Sequence, residues 1–134
     1  MTSRFADTFF FVALLDRKDQ HHSAVTDYLA TSHDFLITTR WVLAEVANAL
    51  GSSALRSAAA AWLNFIESDP STLIVKSNDE LYLRGLQLYS DRADKDWSLT
   101  DCISFVVMQE HRISDALTGD HHFEQAGFKA LFAA

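Results

Sequence analysis

Residues 35–50, FLITTRWVLAEVANAL, contain the pattern that decides the fold, because a short apolar strand, Phe35–Thr38, runs almost directly into a helix, Trp41–Leu50. The same alternation recurs along the chain. The other predicted strands are Phe5–Asp7, Leu73–Val75, Ala116–Thr118 and Ala130–Phe132, and the other predicted helices are His21–Ala30, Ala54–Glu67, Asp79–Tyr89, Leu99–His111 and the single turn His121–Gln125. Strands separated by helices imply right-handed crossover connections. The sequence therefore predicts an α/β protein with a parallel sheet of about five short strands, covered by helices on both faces.

The length and composition fit one domain. A chain of 134 residues can bury a hydrophobic core of its own, and one proline and four glycines are too few for a flexible linker. We therefore expect a single domain over residues 1–134.

Two features indicate the cellular location. Cys102 is the only cysteine and lies in an apolar run, which favours a buried thiol in a reducing compartment. The apolar run Phe9–Leu15 is far shorter than the roughly 20 residues that a membrane helix needs, and no signal-peptide cleavage site follows it. We expect a cytoplasmic protein without a membrane segment.

The charge balance is acidic. Eleven Lys and Arg residues oppose eighteen Asp and Glu residues, which gives a net charge of −7. Proteins that bind nucleic acids usually carry the opposite balance, because contacts to phosphate supply most of their non-specific affinity. This argument weakens if several acids are gathered around divalent cations, since bound metal inverts the local field.

Four carboxylates lie in apolar stretches that contain no other charged residue. They are Asp7 in FADTFFFVALL, Glu45 in WVLAEVANALGSSAL, Asp101 in WSLTDCISFVVM and Asp120 in ALTGDHHF. Open α/β sheets bind ligands outside the carboxyl ends of their strands. The predicted fold brings Asp7, Asp101 and Asp120 to that edge, with Glu45 one to two turns into the helix after the second strand. Four clustered carboxylates cannot all stay ionised at neutral pH without positive charge among them, and Mg²⁺ or Mn²⁺ is the natural counter-charge.

These acids also have structural interpretations. Asp101 follows Ser98 with the S-x-x-[DE] spacing of a helix capping box, and the same spacing recurs at Ser77 and Glu80, where we expect capping alone. The other three acids could be a solvent-facing helix residue and two turn or cap residues. Their joint placement at one edge of the sheet favours a shared site.

Other kinds of site find less support in the sequence. His21–His22 and His121–His122 are adjacent pairs, and neighbours in a helix do not share a face as a zinc pair requires. The glycine-rich motifs that hold nucleotide phosphates do not occur. We therefore expect neither a zinc pair nor a nucleotide-binding loop.

Four stretches resemble, in the same order, the successive motifs of the PIN-domain ribonucleases, a family that includes the VapC-type toxins of toxin–antitoxin pairs. They are ADTFFFVALLDRKDQHH, TTRWVLAEVANAL, WSLTDCISFVVM and ALTGDHHFEQAGF. The resemblance implies a three-layer α/β/α fold and a metal-dependent endoribonuclease in which Asp7, Glu45, Asp101 and Asp120 bind Mg²⁺ or Mn²⁺. It also implies an RNA substrate, an antitoxin partner and a homodimer, for which the helices from Trp41 to Phe65 offer an apolar surface.

The resemblance implies supporting residues as well. Thr8 and Thr118 are expected to support the acids, and Asp96 is either a ligand through water or, as we favour, the solvated approach to the next helix. Gly119 stands where a bulkier or basic residue is frequent in the family, so we expect no help from it in binding RNA. The candidates for contacting RNA phosphates are Arg40, Arg92 and Lys95, followed by Arg17 and Lys18.

Two other functions fit the same residues. A flavodoxin-like receiver module also gathers acids around Mg²⁺, but such modules typically have adjacent acids after the first strand, where Asp7 stands unpaired, and a lysine after the last strand. Lys129 is near that end, but nothing in the sequence places it in the pocket. The second alternative is a PIN-fold scaffold that binds RNA without cutting it. The presence of all four acids argues against a loss of catalysis.

Overall fold

The computed structural model describes residues 2–52 and 54–134. Within these residues the chain forms five strands and seven α-helices. In chain order they are β1 Ser3–Ala6, α1 Thr8–Leu15, α2 His22–Thr31, β2 Phe35–Thr39, α3 Arg40–Ala49, α4 Arg56–Ile66, β3 Thr72–Val75, α5 Asp79–Asp91, α6 Leu99–Glu110, β4 Asp115–Leu117, α7 His121–Gln125 and β5 Lys129–Ala130. None of the described helices has the length and apolar character needed to cross a membrane.

The five strands form one parallel sheet in the order β3-β2-β1-β4-β5. Contacts among the helices divide them into two groups, α1 to α4 and α5 to α7. Because right-handed crossovers toward opposite edges of a sheet place their helices on opposite faces, these groups cover the two faces. The predicted three-layer α/β/α fold is confirmed. The strand order reverses between β1 and β4, which makes the carboxyl ends of these two strands the expected ligand-binding crevice.

Helix α1 is the one substantial element that sequence reasoning missed. Every residue from Phe9 to Leu15 is apolar, so the run lacks the polar face that reveals a surface helix. The structure explains the pattern, since α1 contacts both α2 and α3, and Phe10, Phe11 and Ala13 are buried. The helix is apolar on several sides because it packs on several sides.

The predicted capping role of Ser77 and Glu80 is wrong. Helix α5 begins at Asp79, and its N-cap is Asn78 rather than Ser77, with the Asn78 side chain accepting a hydrogen bond of 2.8 Å from the Leu81 N–H. Asn caps helices at least as well as Ser, so the neighbouring residue takes the role.

Other boundaries shift by one or two residues, as element ends commonly do. Strand β1 ends at Ala6 and β4 at Leu117, so Asp7 and Thr118 lie just beyond their strands. The last strand, β5, lies slightly earlier than predicted, at Lys129–Ala130.

Helix α6 lies deep in the interior. All eight residues from Asp101 to Met108 are buried. Helix α5 approaches it closely at Gly85, where an added Cβ would overlap the side chain of Ile103 and lie 3.2 Å from its Cα. Gly85 therefore allows α5 to pack closely on α6, the helix whose first turn contains the buried Asp101.

The amino ends of the strands are joined by an ion-pair cluster. Arg4 of β1 donates hydrogen bonds of 2.6 Å to Asp34, just before β2, and 2.7 Å to Asp115, at the start of β4. Hydrogen bonds from Tyr28 and Arg4 lower the pKa of Asp34. The acids at this end of the sheet thus have a cationic partner within the protein.

Candidate active site

A pocket of about 510 Å³ lies at the opposite edge, beyond the carboxyl ends of β1 and β4. All four acids singled out in the sequence line it. Asp7 follows β1, Glu45 comes from α3, Asp101 from the first turn of α6 and Asp120 from the connection between β4 and α7. The described lining also contains Thr8, Phe9, Asp96, Ser98, Gly119 and His122. Residues from four distant parts of the chain therefore meet at the crevice that the strand order defines.

Asp7 is the most deeply placed of these acids and is 5% exposed. It occupies the N-cap position of α1 without making a side-chain cap hydrogen bond, and its Oδ2 accepts a hydrogen bond of 3.0 Å from the Thr118 hydroxyl. Burial raises the pKa of Asp7 to about 7, with further contributions from the charges of Asp101 and Glu45 and opposition from hydrogen bonds donated by Thr8 and Thr118. The ionised form of Asp7 therefore needs a nearby positive charge.

Glu45 is held by a hydrogen bond rather than extended into solvent. The Thr8 hydroxyl, at the first position of α1, donates to Glu45 Oε1 over 2.6 Å. Helix α3 is fixed by the burial of Val42, Leu43 and Val46. Thr8, the residue after Asp7, thus orients the carboxylate of Glu45.

Asp101 both caps its helix and belongs to the pocket. Its N–H donates to Ser98 Oγ over 2.9 Å, and the Ser98 N–H donates to Asp101 Oδ2 over 3.1 Å, which completes the capping box. The same Oδ2 lies 3.1 Å from Nδ1 of His122. Burial raises the pKa of Asp101, and the charge of Asp120 adds to the effect, whereas the Ser98 N–H and His122 oppose it. The two interpretations of Asp101 are compatible in one geometry.

Asp120 and the two histidines after it lie close enough to bind one cation. One ligand atom from each of Asp120, His121 and His122 falls within 4.8 Å of the others. Asp120 Oδ1 accepts a hydrogen bond of 2.9 Å from the His122 N–H and lies 3.4 Å from its Nδ1. The His122 side chain is 20% exposed and that of His121 is 71% exposed, so only His122 points into the protein.

His122 is the titratable residue of the pocket that sequence reasoning missed. His121 and His122 do not act as a pair, because the partner of His122 is Asp101, which is 21 residues away in the sequence. The sequence signal for His122 is the Asp-x-His spacing at the start of the short helix α7. Asp120 is the N-cap of this helix, and His122, two residues later, lies next to the Asp120 side chain.

The basic residues predicted to contact RNA lie outside the pocket. Arg92 and Lys95 line a neighbouring hollow of about 510 Å³, which shares Asp96 with the acidic pocket. Arg92 donates two hydrogen bonds to Asp94, and its guanidinium lies 5.0 Å from the centre of the Trp97 ring. Arg40 pairs with Glu67 on the surface, over 2.5 Å. Arg17 and Lys18 are exposed in the turn after α1.

The four acids lack a strong cationic partner in the described part of the chain. No Lys or Arg in residues 2–52 and 54–134 forms an ion pair with any of them, and only His121 and His122 lie within ion-pair distance. Asp34 and Asp115, at the other end of the strands, share Arg4. Asp7 and Asp101 are buried and have raised pKa values, and carboxylate oxygens are the ligands that hard divalent cations prefer. The cluster therefore fits a divalent cation.

Comparison with known proteins identifies the family. The PIN domain family model matches residues 4–129. VapC20 of Mycobacterium tuberculosis, a toxin that cleaves the sarcin–ricin loop, has a similar structure, with a TM-score of 0.84 and 25% sequence identity over 92% of this chain and 95% of that one. VapBC2 of Rickettsia felis, solved with a DNA fragment from its promoter, matches with a TM-score of 0.66 and 12% identity over 96% of both chains. No curated protein is significantly similar in sequence.

The family model and the similarity to the VapC20 structure thus identify a PIN-domain ribonuclease, as the sequence resemblance predicted. The chain belongs to the PIN domain family. The strand order also argues against a receiver module, because flavodoxin-like sheets have the order 2-1-3-4-5 whereas this sheet has the order 3-2-1-4-5.

Proposed function

We propose that this chain hydrolyses RNA phosphodiester bonds with a Mg²⁺ or Mn²⁺ ion held by Asp7, Glu45, Asp101 and Asp120. The observation that carries the proposal is the meeting of these four carboxylates in one pocket. An ion bound there would polarise the scissile phosphate and activate the water that attacks it. The reaction forms a bond between the water oxygen and phosphorus and breaks one bond from phosphorus to a ribose oxygen.

The protein's own contribution is to hold the carboxylates in fixed positions. Thr118 donates to Asp7 and Thr8 donates to Glu45, so each threonine fixes one acid. Such outer hydrogen bonds orient metal ligands and commonly change metal affinity by about 10- to 100-fold when removed. Asp101 is held on one oxygen by the Ser98 N–H and His122.

Asp96 has a lesser proposed role. It borders the acidic pocket but is exposed, and no side-chain hydrogen bond fixes it within the described residues. We assign it to the hydrated rim of the site, where it can act on the ion through water.

RNA is the proposed substrate. The support is the family together with VapC20, which cleaves the sarcin–ricin loop. Arg92 and Lys95 are the proposed phosphate contacts, because their hollow adjoins the pocket at Asp96. Arg40 is a more distant candidate, since it lines neither hollow and is paired with Glu67.

We also infer an antitoxin partner and a homodimer, as the resemblance to VapC-type toxins implies. The sequence suggested a dimer surface on the helices from Trp41 to Phe65, where Phe65 is 60% exposed. Among the described residues, four of the seven exposed large hydrophobic side chains lie on α5, and they are Tyr82, Leu83, Leu86 and Tyr89. A cluster of this kind typically marks a protein contact. We propose that a second copy covers it, so Leu83→Lys should convert a dimer to a monomer in sedimentation equilibrium.

The direct test of the proposed function is cleavage of end-labelled RNA. The wild-type protein should cut with Mg²⁺ or Mn²⁺ and not in EDTA. Asp101→Asn should abolish cleavage, while Asp27→Asn, which changes an exposed acid on α2, should leave it unchanged. Cleavage in EDTA, or full activity in Asp101→Asn, would refute the mechanism. RNA binding without cleavage by the wild type under all metal conditions would favour the scaffold alternative.

A further inference from the structure

Phe9 is the one Phe, Tyr or Trp side chain among the described residues that line the acidic pocket. It lies two residues after Asp7, in the first turn of α1. Its neighbours Phe10 and Phe11 are fully buried and supply the packing of the helix, whereas Phe9 is only partly buried. A large apolar ring is thus left at the rim of a site whose other lining residues are nearly all polar.

Gly119 makes room for this ring. A Cβ added to Gly119 would lie 2.7 Å from two ring carbons of Phe9 and 3.3 Å from the carbonyl oxygen of Phe132. Real side chains do not approach this closely, so any larger residue would displace the ring. Gly119 was expected to contribute nothing to RNA binding, and the structure gives it the different role of allowing Phe9 to occupy the rim.

Two further rings fix the position of Phe9. The ring centre of His21 lies 4.7 Å away at an interplanar angle of 55°, and that of Phe132 lies 6.3 Å away at 29°. Such aromatic contacts stabilise a defined ring orientation. Phe9 is therefore a supported ring rather than a freely rotating side chain.

The chemistry of the pocket indicates what this ring can bind. The described lining contains five carboxylates and no Lys or Arg, so it offers RNA little electrostatic affinity beyond a bound cation. Stacking on an aromatic side chain binds any base through its π-face without needing positive charge. A single-stranded or looped segment supplies such a base next to the phosphate that enters the pocket.

We infer that Phe9, supported by His21 and Phe132, is the platform on which a nucleobase adjacent to the scissile phosphate stacks. This inference rests on the proposed ribonuclease function and adds a positioning residue to it. It further requires that the stacked nucleotide be unpaired in the substrate, because a base within a duplex has no free face.

The test combines protein variants with a modified RNA. Phe9→Leu keeps an apolar side chain over Gly119 but removes the π-face, while Phe9→Trp keeps it. Phe65→Leu is the matched control, because Phe65 is an exposed ring on α4 that does not line the pocket. Affinity is measured with the 134-residue chain and its variants and a fluorescent RNA, with Ca²⁺ in place of Mg²⁺ to slow cleavage.

Phe9→Leu should weaken RNA binding on the order of tenfold, within the range of about 5- to 150-fold found for one stacked base. Phe9→Trp and Phe65→Leu should bind like the wild type. Replacing the stacked nucleotide with an abasic one should weaken wild-type binding similarly and remove the difference between wild type and Phe9→Leu. A 2-aminopurine base at that position should be quenched by the wild type and not by Phe9→Leu.

Several outcomes would overturn the inference. The first is a Phe9→Leu variant that binds RNA as tightly as the wild type, and the second is a variant that loses the same affinity on abasic RNA as on intact RNA. The third is a wild-type protein that binds abasic and intact RNA equally well, a result that does not depend on any variant folding. If the wild type cleaves RNA but shows any of these results, the stacking inference fails and the ribonuclease function stands. If stacking is observed but no metal supports cleavage, the ribonuclease function fails instead.

Discussion

The Thr118 hydroxyl donates a buried hydrogen bond of 3.0 Å to Oδ2 of Asp7, and so joins the ends of the two strands between which the sheet order reverses. The same hydroxyl oxygen accepts a hydrogen bond of 3.0 Å from the N–H of Asp120. One threonine side chain therefore links two of the proposed metal ligands.

Thr118→Val should remove both links. The free energy of unfolding should fall by about 1–3 kcal/mol, because a buried acceptor and a donor lose their partner. The hydrogen bond from Thr118 lowers the pKa of Asp7, so its loss should also move metal-dependent cleavage to higher pH. Urea denaturation and a pH–rate profile measure the two effects. Thr118→Ser, which keeps the hydroxyl, should resemble the wild type, and equal losses in both variants would contradict the role of the hydroxyl.

The raised pKa of Asp7 predicts a pH dependence of stability in the metal-free protein. The folded-state pKa of about 7 lies above the value of about 4 in an unfolded chain. The folded state therefore holds this proton more tightly, and stability present below about pH 4 should be lost as the pH rises through 7. In EDTA, Asp7→Asn should lack this loss and should exceed the wild type at pH 8 by up to a few kcal/mol. Parallel pH profiles of wild type and Asp7→Asn in urea denaturation would refute the shift.

Ser98→Ala and Asp101→Asn should separate capping from catalysis. Ser98→Ala removes the cap hydroxyl and should lower the free energy of unfolding by about 1 kcal/mol. It keeps the Ser98 backbone N–H that donates to Asp101, so cleavage should persist. Asp101→Asn should show the opposite pattern, with stability unchanged or raised and cleavage abolished, because it reduces repulsion among the acids. Melting temperatures and cleavage rates of both variants test the distinction, and active Asp101→Asn would show that Asp101 is only a cap.

Gly85→Ala should destabilise the packing of α5 on α6. The added Cβ overlaps the Ile103 side chain and lies close to its backbone, which cannot easily move in the interior. We expect a loss of about 1–3 kcal/mol in the free energy of unfolding, the usual cost of overpacking. Gly51→Ala is the control, because its Cβ would come no closer than 3.4 Å to any atom. Equal effects at the two glycines would contradict the close approach.

The sequence predicted the sheet and the four acids because both depend on local patterns. Short apolar segments between helices indicate parallel strands, and a lone carboxylate in an apolar stretch is conspicuous wherever it lies. The predicted strand ends placed Asp7, Asp101 and Asp120 at one edge of the sheet, with Glu45 in the helix after the second strand. The structure brings these four together as expected.

The features that were missed depend on packing between distant segments. Helix α1 is covered on several sides, so its sequence lacks the periodicity of a surface helix. His122 contacts Asp101, and the ring of Phe9 packs over Gly119. In both cases the two residues are far apart in the sequence, so no local motif reveals the contact. The Asn78 cap was missed because two residues of similar capping strength stand side by side.

The central claim is that the four carboxylates form one metal site, and calorimetric titration of Mn²⁺ into the RNA-free protein tests it most directly. The wild type and Asp27→Asn should give the same saturable isotherm, and Asp7→Asn and Asp101→Asn should each weaken binding by at least about tenfold. The absence of binding in the wild type, or binding that neither pocket substitution affects, would contradict the claim.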